Sequence, residues 1–214
     1  MFVVTADQVD THRAFDRVPA ALSLLAGPRS GLHRAFERTT GDAIQGVCAD
    51  PGDVLDVVTA LLRHGDWRIG VGIGPVEAPL PESARSARGP AVVAARDALA
   101  AAGPVPGQLA LRCRVGLGTS RLEREVRQRH TRYAESAILL YARLLRGRTV
   151  EGWQVTDLLS QGLTQKDAAA RLGVTPSAVS QRVRRAGWQE QQRGRELIAH
   201  HLSEAGDVAN TSSS

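Results

Sequence analysis

The chain has 214 residues, of which 43% are hydrophobic, and a formal net charge of +5, so it can bury the core of one or two domains without disulfides. No window approaches the run of about 20 apolar residues that a membrane-spanning helix requires. The N-terminus, MFVVTADQ, has neither a charged leader nor a cleavage site, which predicts a cytoplasmic protein.

The charge is unevenly distributed. Residues 1–110 carry 10 Lys and Arg against 12 Asp and Glu, whereas residues 111–214 carry 17 against 10. Biased base composition would explain why the cations are mostly Arg, but not why they cluster. The second half is therefore the candidate for binding a polyanion.

The first half of the chain alternates between strand and helix signals. Strands are predicted at 2–6, 32–39, 43–49 and 67–76, and helices at 13–25 and from 51–53 onward. Gly41-Asp42, between the second and third strands, is a hairpin signal. The order βαββαβ allows the sheet arrangement 4-1-3-2. We therefore expect an α+β protein with a ferredoxin-like N-terminal domain over residues 1–117.

Two further elements follow a polar loop at 78–88. They are a helix at 90–102 and a strand at 108–115, which is expected to extend the sheet. A long connector helix is then predicted over 118–148, because Ser120 and Glu123 are spaced as a capping box.

The apolar residues of this connector recur at nearly heptad spacing and form a stripe that needs a partner surface. The stripe consists of Leu122, Val126, Tyr133, Ala137, Leu140, Tyr141 and Leu144. The sequence allows two partners for this stripe. It could pack against the chain's own sheet and following helices, or against a second copy of the chain in a homodimer.

Residues 149–204 read as short helices, followed by a polar tail at 205–214 that is expected to be disordered. Thr164 and Thr175 are good N-caps for two of these helices, and Gly173 ends the first. Two helices joined by so few residues must pack closely. The first helix therefore needs a small residue, the turn needs a residue with positive φ, and the second helix needs an apolar residue that packs against the first. Ala169, Gly173 and Val179 meet these needs. The sequence therefore predicts an all-helical helix-turn-helix domain.

The outward face of the second helix carries side chains that suit a DNA groove. Gln pairs bidentately with adenine and Arg with guanine, while Ser can reach phosphate. Base reading is assigned to Ser177, Ala178, Gln181 and Arg182. Phosphate contacts are assigned to Lys166, Arg171, Arg184 and Arg185, and Thr175 and Ser180 complete the predicted DNA-binding set. The alternative is an ordinary helical hairpin with a solvated charged face.

Carboxylates near the end of the first strand form a second candidate site. Asp7 and Asp10 follow that strand, and the predicted sheet brings Asp7 to the same edge as Asp42 in the hairpin. Adjacent carboxylates repel unless a cation lies between them, and Mg²⁺ bridging to nucleotide phosphates is a common occupant of such a pair. The alternative is that Asp42 is a turn residue and Asp10 a helix cap.

The chain resembles the SatD family along most of its length. The resemblance is carried by VVTADQVDTHR, TTGDAIQG, RIGVGIG, GPAVVAARDAL and the helix-turn-helix from Leu163, in that order. It implies a small α/β domain followed by a helix-turn-helix. Ala43 is a departure, because an acidic residue often follows the Gly-Asp pair in that family.

The N-terminal domain also resembles, more distantly, the palm of class III nucleotidyl cyclases. Asp7 and Asp42 would correspond to the metal-binding aspartates of those enzymes, and Arg96 to a catalytic arginine. The asparagine that they place four residues before this arginine is Val92 here, which cannot hydrogen-bond a nucleotide. The resemblance thus implies a nucleotide-binding site at Asp7, Asp10, Asp42 and Arg96 rather than turnover.

Three functional hypotheses follow. The first is a homodimeric transcription regulator that binds double-stranded DNA and is controlled by a nucleotide or Mg²⁺–nucleotide ligand. The second is a Mg²⁺-dependent nucleotidyl cyclase or nucleotidase that the helix-turn-helix tethers to DNA. The third is a promoter-reading helix-turn-helix similar to that of sigma factors, although no polymerase-binding region is apparent.

Overall fold

The computed structural model describes residues 1–9, 15–27, 32–65, 67–103 and 108–206 and confirms the predicted α+β class. The strands are β1 (Phe2–Gln8), β2 (Leu32–Arg38), β3 (Ala43–Cys48), β4 (Trp67–Ile73) and β5 (Leu109–Cys113). The helices are α1 (Val18–Leu25), α2 (Pro51–His64), α3 (Pro90–Ala102), α4 (Arg121–Arg146), α5 (Val150–Ser160), α6 (Gln165–Leu172), α7 (Pro176–Arg185) and α8 (Trp188–Gly206). Among the described residues, no helix combines the length and the hydropathy that a membrane span needs.

The five strands form one mixed sheet in the order β2-β3-β1-β4-β5. Strand β1 lies antiparallel between β3 and β4, and β5 extends the edge parallel to β4. β4 ends at Ile73, before the predicted Val76, because Gly74 has a φ of +152° and Pro75 has no N–H to donate to the ladder. α1 begins at Val18, later than predicted, because Pro19 has no N–H to donate to the carbonyl of Phe15 and its ring would clash with that carbonyl in a longer helix.

Helices cover both faces of the sheet. One face buries Val4, Ile69 and Val71 in a core shared with α1, α2, α4 and α8. On the other face α3 lies directly on β4, where Gly70 and Gly72 leave room for the helix backbone. A Cβ atom at Gly72 would lie 2.0 Å from the carbonyl oxygen of Ala91. These two glycines therefore set how closely α3 approaches the sheet.

The last helix, α8, packs against the body of the protein as well as the helices before it. Its buried residues Ile198, Leu202 and Ala205 belong to the same apolar core as β1 and β4. Ala205, which the sequence assigned to a disordered tail, is thus a buried helical residue, and 207–214 lie outside the described residues. The predicted domain of residues 149–204 therefore shares a core with the sheet through α8.

Three histidines meet where α8 packs on α4. The Nδ1 atoms of His130 and His201 lie 3.0 Å apart, and the His200 ring centroid is 5.1 Å from that of His201. Burial lowers the pKa of His201, and the charges of His130 and His200 lower it further, against the opposing charge of Glu204. Protonation of His201 therefore opposes the packing of α8 on α4.

The predicted stripe on α4 is divided between two environments. Tyr141 is buried, but Leu122, Tyr133 and Leu140 are 69%, 50% and 75% exposed. The helix instead packs through a face that includes Ala134, Ile138, Tyr141, Ala142 and Leu145. Packing against the chain's own sheet and helices therefore does not account for the exposed part of the stripe.

Candidate functional site

Helices α6 and α7 are joined by three residues whose local geometry the sequence predicted. The Thr164 hydroxyl accepts from the N–H of Asp167 at 3.2 Å, and the Asp167 carboxylate accepts in return from the N–H of Thr164 at 3.2 Å. Gly173 has a φ of +64°, and the Thr175 hydroxyl accepts from the N–H of Ala178 at 3.2 Å. Both N-caps and the turn glycine are confirmed, so short-range hydrogen bonds fix the start of α7.

A small apolar core holds the two helices together. It contains Ala168, Ala169, Val179 and Val183, with Leu172 and Val174 packed against it. The predicted small residue and apolar anchor, Ala169 and Val179, are both buried. α5 supplies the third side of this core through Val155, which the sequence did not single out. The unit around the turn is therefore a three-helix arrangement of α5, α6 and α7.

The far side of α7 faces solvent. Ser177 and Gln181 are exposed, and Ala178 and Ser180 are half-buried beside them. The cations assigned to phosphate, together with the N-cap of α7, are also exposed: Lys166, Arg171, Thr175, Arg184 and Arg185. The segment 164–186 carries five Lys and Arg against one Asp. The exposed face of α7 therefore combines polar, hydrogen-bonding side chains with flanking positive charge.

Arg182 differs from the other three residues assigned to base reading. It is half-buried, next to the buried Val183. Its side chain lines a small pocket together with Thr149, Glu151 and Gly152 at the start of α5. Arg182 therefore lies towards α5, to one side of the face formed by Ser177 and Gln181.

The far end of α7 is tied to the body of the protein by a buried arginine that the sequence did not single out. The Nε and Nη2 atoms of Arg148 donate to the carbonyl oxygen of Ala186 at 3.1 and 2.7 Å. Ala186 is the C-cap of α7, so this contact satisfies a carbonyl that the helix leaves unpaired. Gly187 then turns the chain, with a φ of +63°, into α8.

The second candidate site lies at one edge of the sheet. Asp7 pairs in register with Ala43, so it lies beside the hairpin that contains Asp42. Both Asp7 carboxylate oxygens accept hydrogen bonds from Arg68, at 2.9 and 2.8 Å. Burial raises the pKa of Asp7, as does the charge of Asp42, while Arg68 lowers it. The cation that the two carboxylates require is thus supplied by Arg68.

Arg68 could have been found from the sequence, because an antiparallel β4 beside β1 places the first residues of β4 opposite the last residues of β1. As arranged, Mg²⁺ would have to displace Arg68 to reach Asp7. Arg96 is exposed on α3, and neither Asp7 nor Asp42 accepts a hydrogen bond from it in the described part of the chain. Asp10 lies outside the described residues. No group of three or more His, Cys, Asp or Glu that could hold a metal is present among the described residues.

Comparison with known proteins adds no family or relative. No family model, no curated protein and no solved structure matches the chain.

Proposed function

We propose that this protein is a sequence-specific DNA-binding regulator that reads base edges in the major groove with the exposed face of α7. The proposal rests on three features that occur together on this one short helix. Its N-terminus is capped, Ser177 and Gln181 are exposed, and Arg184 and Arg185 add positive charge. Helix-turn-helix proteins use the N-terminal residues of their second helix in this way.

The charge of the surface supports the same role. Exposed Lys166 and Arg171 on α6 flank α7, as the phosphate contacts of a docked helix would. Such contacts release counterions, so affinity should fall steeply as salt rises. A solvated charged hairpin would also be basic, but it would not discriminate between sequences. Sequence preference therefore separates the two interpretations.

We further propose that the active form is a homodimer joined through α4. Leu122, Tyr133 and Leu140 are exposed on one helix, and the last two are one heptad apart. Two helix-turn-helix units bind half-sites about one DNA turn apart, which requires two copies. Light scattering should show that Leu140→Glu is a monomer. The control variant Val93→Glu, which lies on the opposite side of the sheet, should remain a dimer.

We also propose that the N-terminal part of the protein is a ferredoxin-like domain. Counted from the β4 side, its first four strands lie in the order β4-β1-β3-β2, which is the order expected for that fold. Control by Mg²⁺ and a nucleotide at Asp7, Asp42 and Arg96 stays a prediction. Incubation of the protein with each nucleoside triphosphate and Mg²⁺ tests the alternative of a cyclase or nucleotidase. If every nucleotide is recovered unchanged, that alternative is excluded.

The proposed function is tested by selecting duplexes from a random library and measuring their binding at several salt concentrations. We expect one inverted repeat to be enriched, with affinity that decreases as salt rises. Arg185→Met should reduce the salt dependence by about one counterion, whereas Arg124→Met on α4 should leave it unchanged. Equal binding of all duplexes at physiological salt would refute sequence-specific recognition.

A further inference from the structure

A cleft of about 880 Å³ lies between the sheet-covering helix α2 and the helices α5 and α8. Its walls include Thr59 and Arg63 from α2, Trp153 from α5, and Trp188 and Gln191 from α8. Pockets of this size, lined by aromatic side chains and a few polar groups, are typical of small-molecule sites. The cleft lies at the boundary between the body of the protein and the helices that carry α7.

Two ion pairs join the walls of the cleft. Arg63 on α2 donates two hydrogen bonds of 2.8 Å to Asp157 on α5, and Arg195 on α8 donates one of 2.6 Å to Asp56 on α2. Each pair matches one cation with one carboxylate. The charge of the cleft is therefore decided by its remaining ionisable groups.

Arg148 leaves the cleft with an unmatched positive charge. It is 8% exposed, and it donates to two neutral oxygens, the carbonyl of Ala186 and the Thr156 hydroxyl. Its guanidinium carbon lies 4.5 Å from the Trp153 ring centroid. No carboxylate in the described part of the chain forms an ion pair with it. Because a buried cation is stabilised by an opposite charge, this position favours an anion.

Gln191 supplies an unmet hydrogen-bond acceptor in the same cleft. Its side chain is 8% exposed, and its Oε1 atom has no hydrogen-bond partner among the described residues. A buried acceptor without a donor is costly, and natural proteins keep few of them. A ligand with an N–H or O–H group would satisfy it.

From these features we infer that the cleft binds a small organic anion, in which a carboxylate or phosphate is placed against Arg148 and an N–H or O–H group donates to Gln191. The apolar part of the ligand would contact Trp188 and Leu159 in the cleft wall. This site is separate from the edge at Asp7 and Asp42, and it requires neither a metal nor those carboxylates.

The same cleft is linked to α7 by a direct contact. Arg148 lines the cleft and also donates two hydrogen bonds to Ala186, the C-cap of α7. An anion that draws the guanidinium towards itself changes these bonds, and α7 also contacts both α5 and α8. The ligand therefore controls DNA binding. This regulatory part of the inference rests on the proposed function, whereas ligand binding itself does not.

Tryptophan fluorescence and thermal unfolding test the site on the full-length protein without DNA. Trp153 and Trp188 line the cleft, whereas Trp67 is fully buried in the sheet core, so emission changes report on the cleft. The probes are 4-hydroxybenzoate and adenosine 5′-monophosphate, each with its neutral counterpart, 4-hydroxybenzyl alcohol and adenosine. We expect at least one anion to change the emission saturably and raise the midpoint of unfolding, and its counterpart to do neither.

Two variants locate the site. Arg148→Met should weaken binding of the active anion by about tenfold or more, and Gln191→Leu by several-fold. Gln191→Leu also removes the unpartnered acceptor, so the unliganded variant should unfold at the same temperature as wild type or higher. Arg143→Met, on the exposed side of α4, is the matched control and should bind as wild type does.

The inference is overturned if neither anion changes either signal, or if Gln191→Leu and a folded Arg148→Met bind as wild type does. Its failure differs from that of the proposed function. An anion that binds the cleft in a protein that shows no DNA sequence preference would keep the site and remove the regulator. Sequence-specific DNA binding by a protein that binds neither anion would keep the regulator and remove the anion site.

Discussion

Two glycines on either side of α7 allow the junction between α7 and α8 to be tested by one matched pair of substitutions. Gly173 and Gly187 have nearly the same backbone conformation, with φ of +64° and +63°. A Cβ atom at Gly173 would meet no atom within 4 Å, whereas one at Gly187 would lie 2.5 Å from the Cδ1 atom of Leu144 on α4. Alanine at both sites thus has the same backbone cost, and the two variants differ in the contact with Leu144.

The expected magnitudes follow from this geometry. Left-handed backbone costs a non-glycine residue about 1–2 kcal/mol, so Gly173→Ala should lower the free energy of unfolding by about 1 kcal/mol. At Gly187, ordinary carbon contacts of about 3.5–4.0 Å require the end of Leu144 to move by roughly 1 Å. Because the atom met is the far end of a partly buried, rotatable side chain, this movement adds about 1 kcal/mol, the low end of the usual cost of overpacking. Gly187→Ala should therefore cost about 2 kcal/mol.

Urea unfolding of both variants, each with and without Leu144→Ala, measures the difference. Removing the Leu144 side chain should relieve the clash, so that Gly187→Ala costs about 1 kcal/mol in that background, as Gly173→Ala does. The reasoning is refuted if Gly187→Ala and Gly173→Ala are equally destabilising in the wild-type background. That result would mean that the turn at Gly187 does not lie against Leu144 as closely as the structure places it.

Three further predictions concern the body of the protein. Gly72→Ala should lower the free energy of unfolding by about 3 kcal/mol or more, because the clashing atom is the backbone oxygen of Ala91, which cannot rotate away; a loss below about 1 kcal/mol in urea unfolding would contradict the contact. Asp7→Asn should change the free energy of unfolding by less than about 1 kcal/mol, since the pair with Arg68 is partly exposed and the burial that raises the pKa of Asp7 offsets it; a loss above about 2 kcal/mol in urea unfolding would contradict this balance. The lowered pKa of His201 means that the unfolded chain binds more protons below about pH 6.5. Stability should therefore fall as pH decreases from about 6.5, and His201→Asn should reduce that loss; an identical pH profile would argue against the cluster.

The start of α7 could be predicted because its determinants are local. Thr164, Gly173 and Thr175 act on residues within about one helical turn, and their hydrogen bonds require no knowledge of the rest of the fold. The hairpin at Gly41-Asp42 and the two strands that it joins were predictable for the same reason. Local signals therefore gave most of the elements and the position of the candidate DNA-binding helix.

The face of α4 could not be predicted, because it depends on partners far along the chain. Its buried side includes polar Arg127 and Thr131, while apolar Leu122 and Leu140 are exposed. Periodicity in hydrophobicity therefore favoured the wrong side for part of the helix. The contacts that decide the matter are made with β5 and α8, which no local pattern reveals.

The cleft was hidden from the sequence for a related reason. Arg148, Trp153 and Gln191 each resemble ordinary surface residues when they are considered one at a time. Only the return of α8 across α2 and α5 brings them together and buries two of them. A site of this kind follows from tertiary packing rather than from a motif.

Base reading by α7 can be measured through the specificity of Gln181→Ala. The measurement is the ratio of affinities for the selected duplex and a scrambled duplex at one salt concentration, with Gln128→Ala on α4 as the control. Loss of a bidentate contact to adenine should reduce the ratio by about tenfold for Gln181→Ala and leave it unchanged for Gln128→Ala. An unchanged ratio for Gln181→Ala, in a protein that still prefers its selected duplex, would contradict base reading by this face of α7.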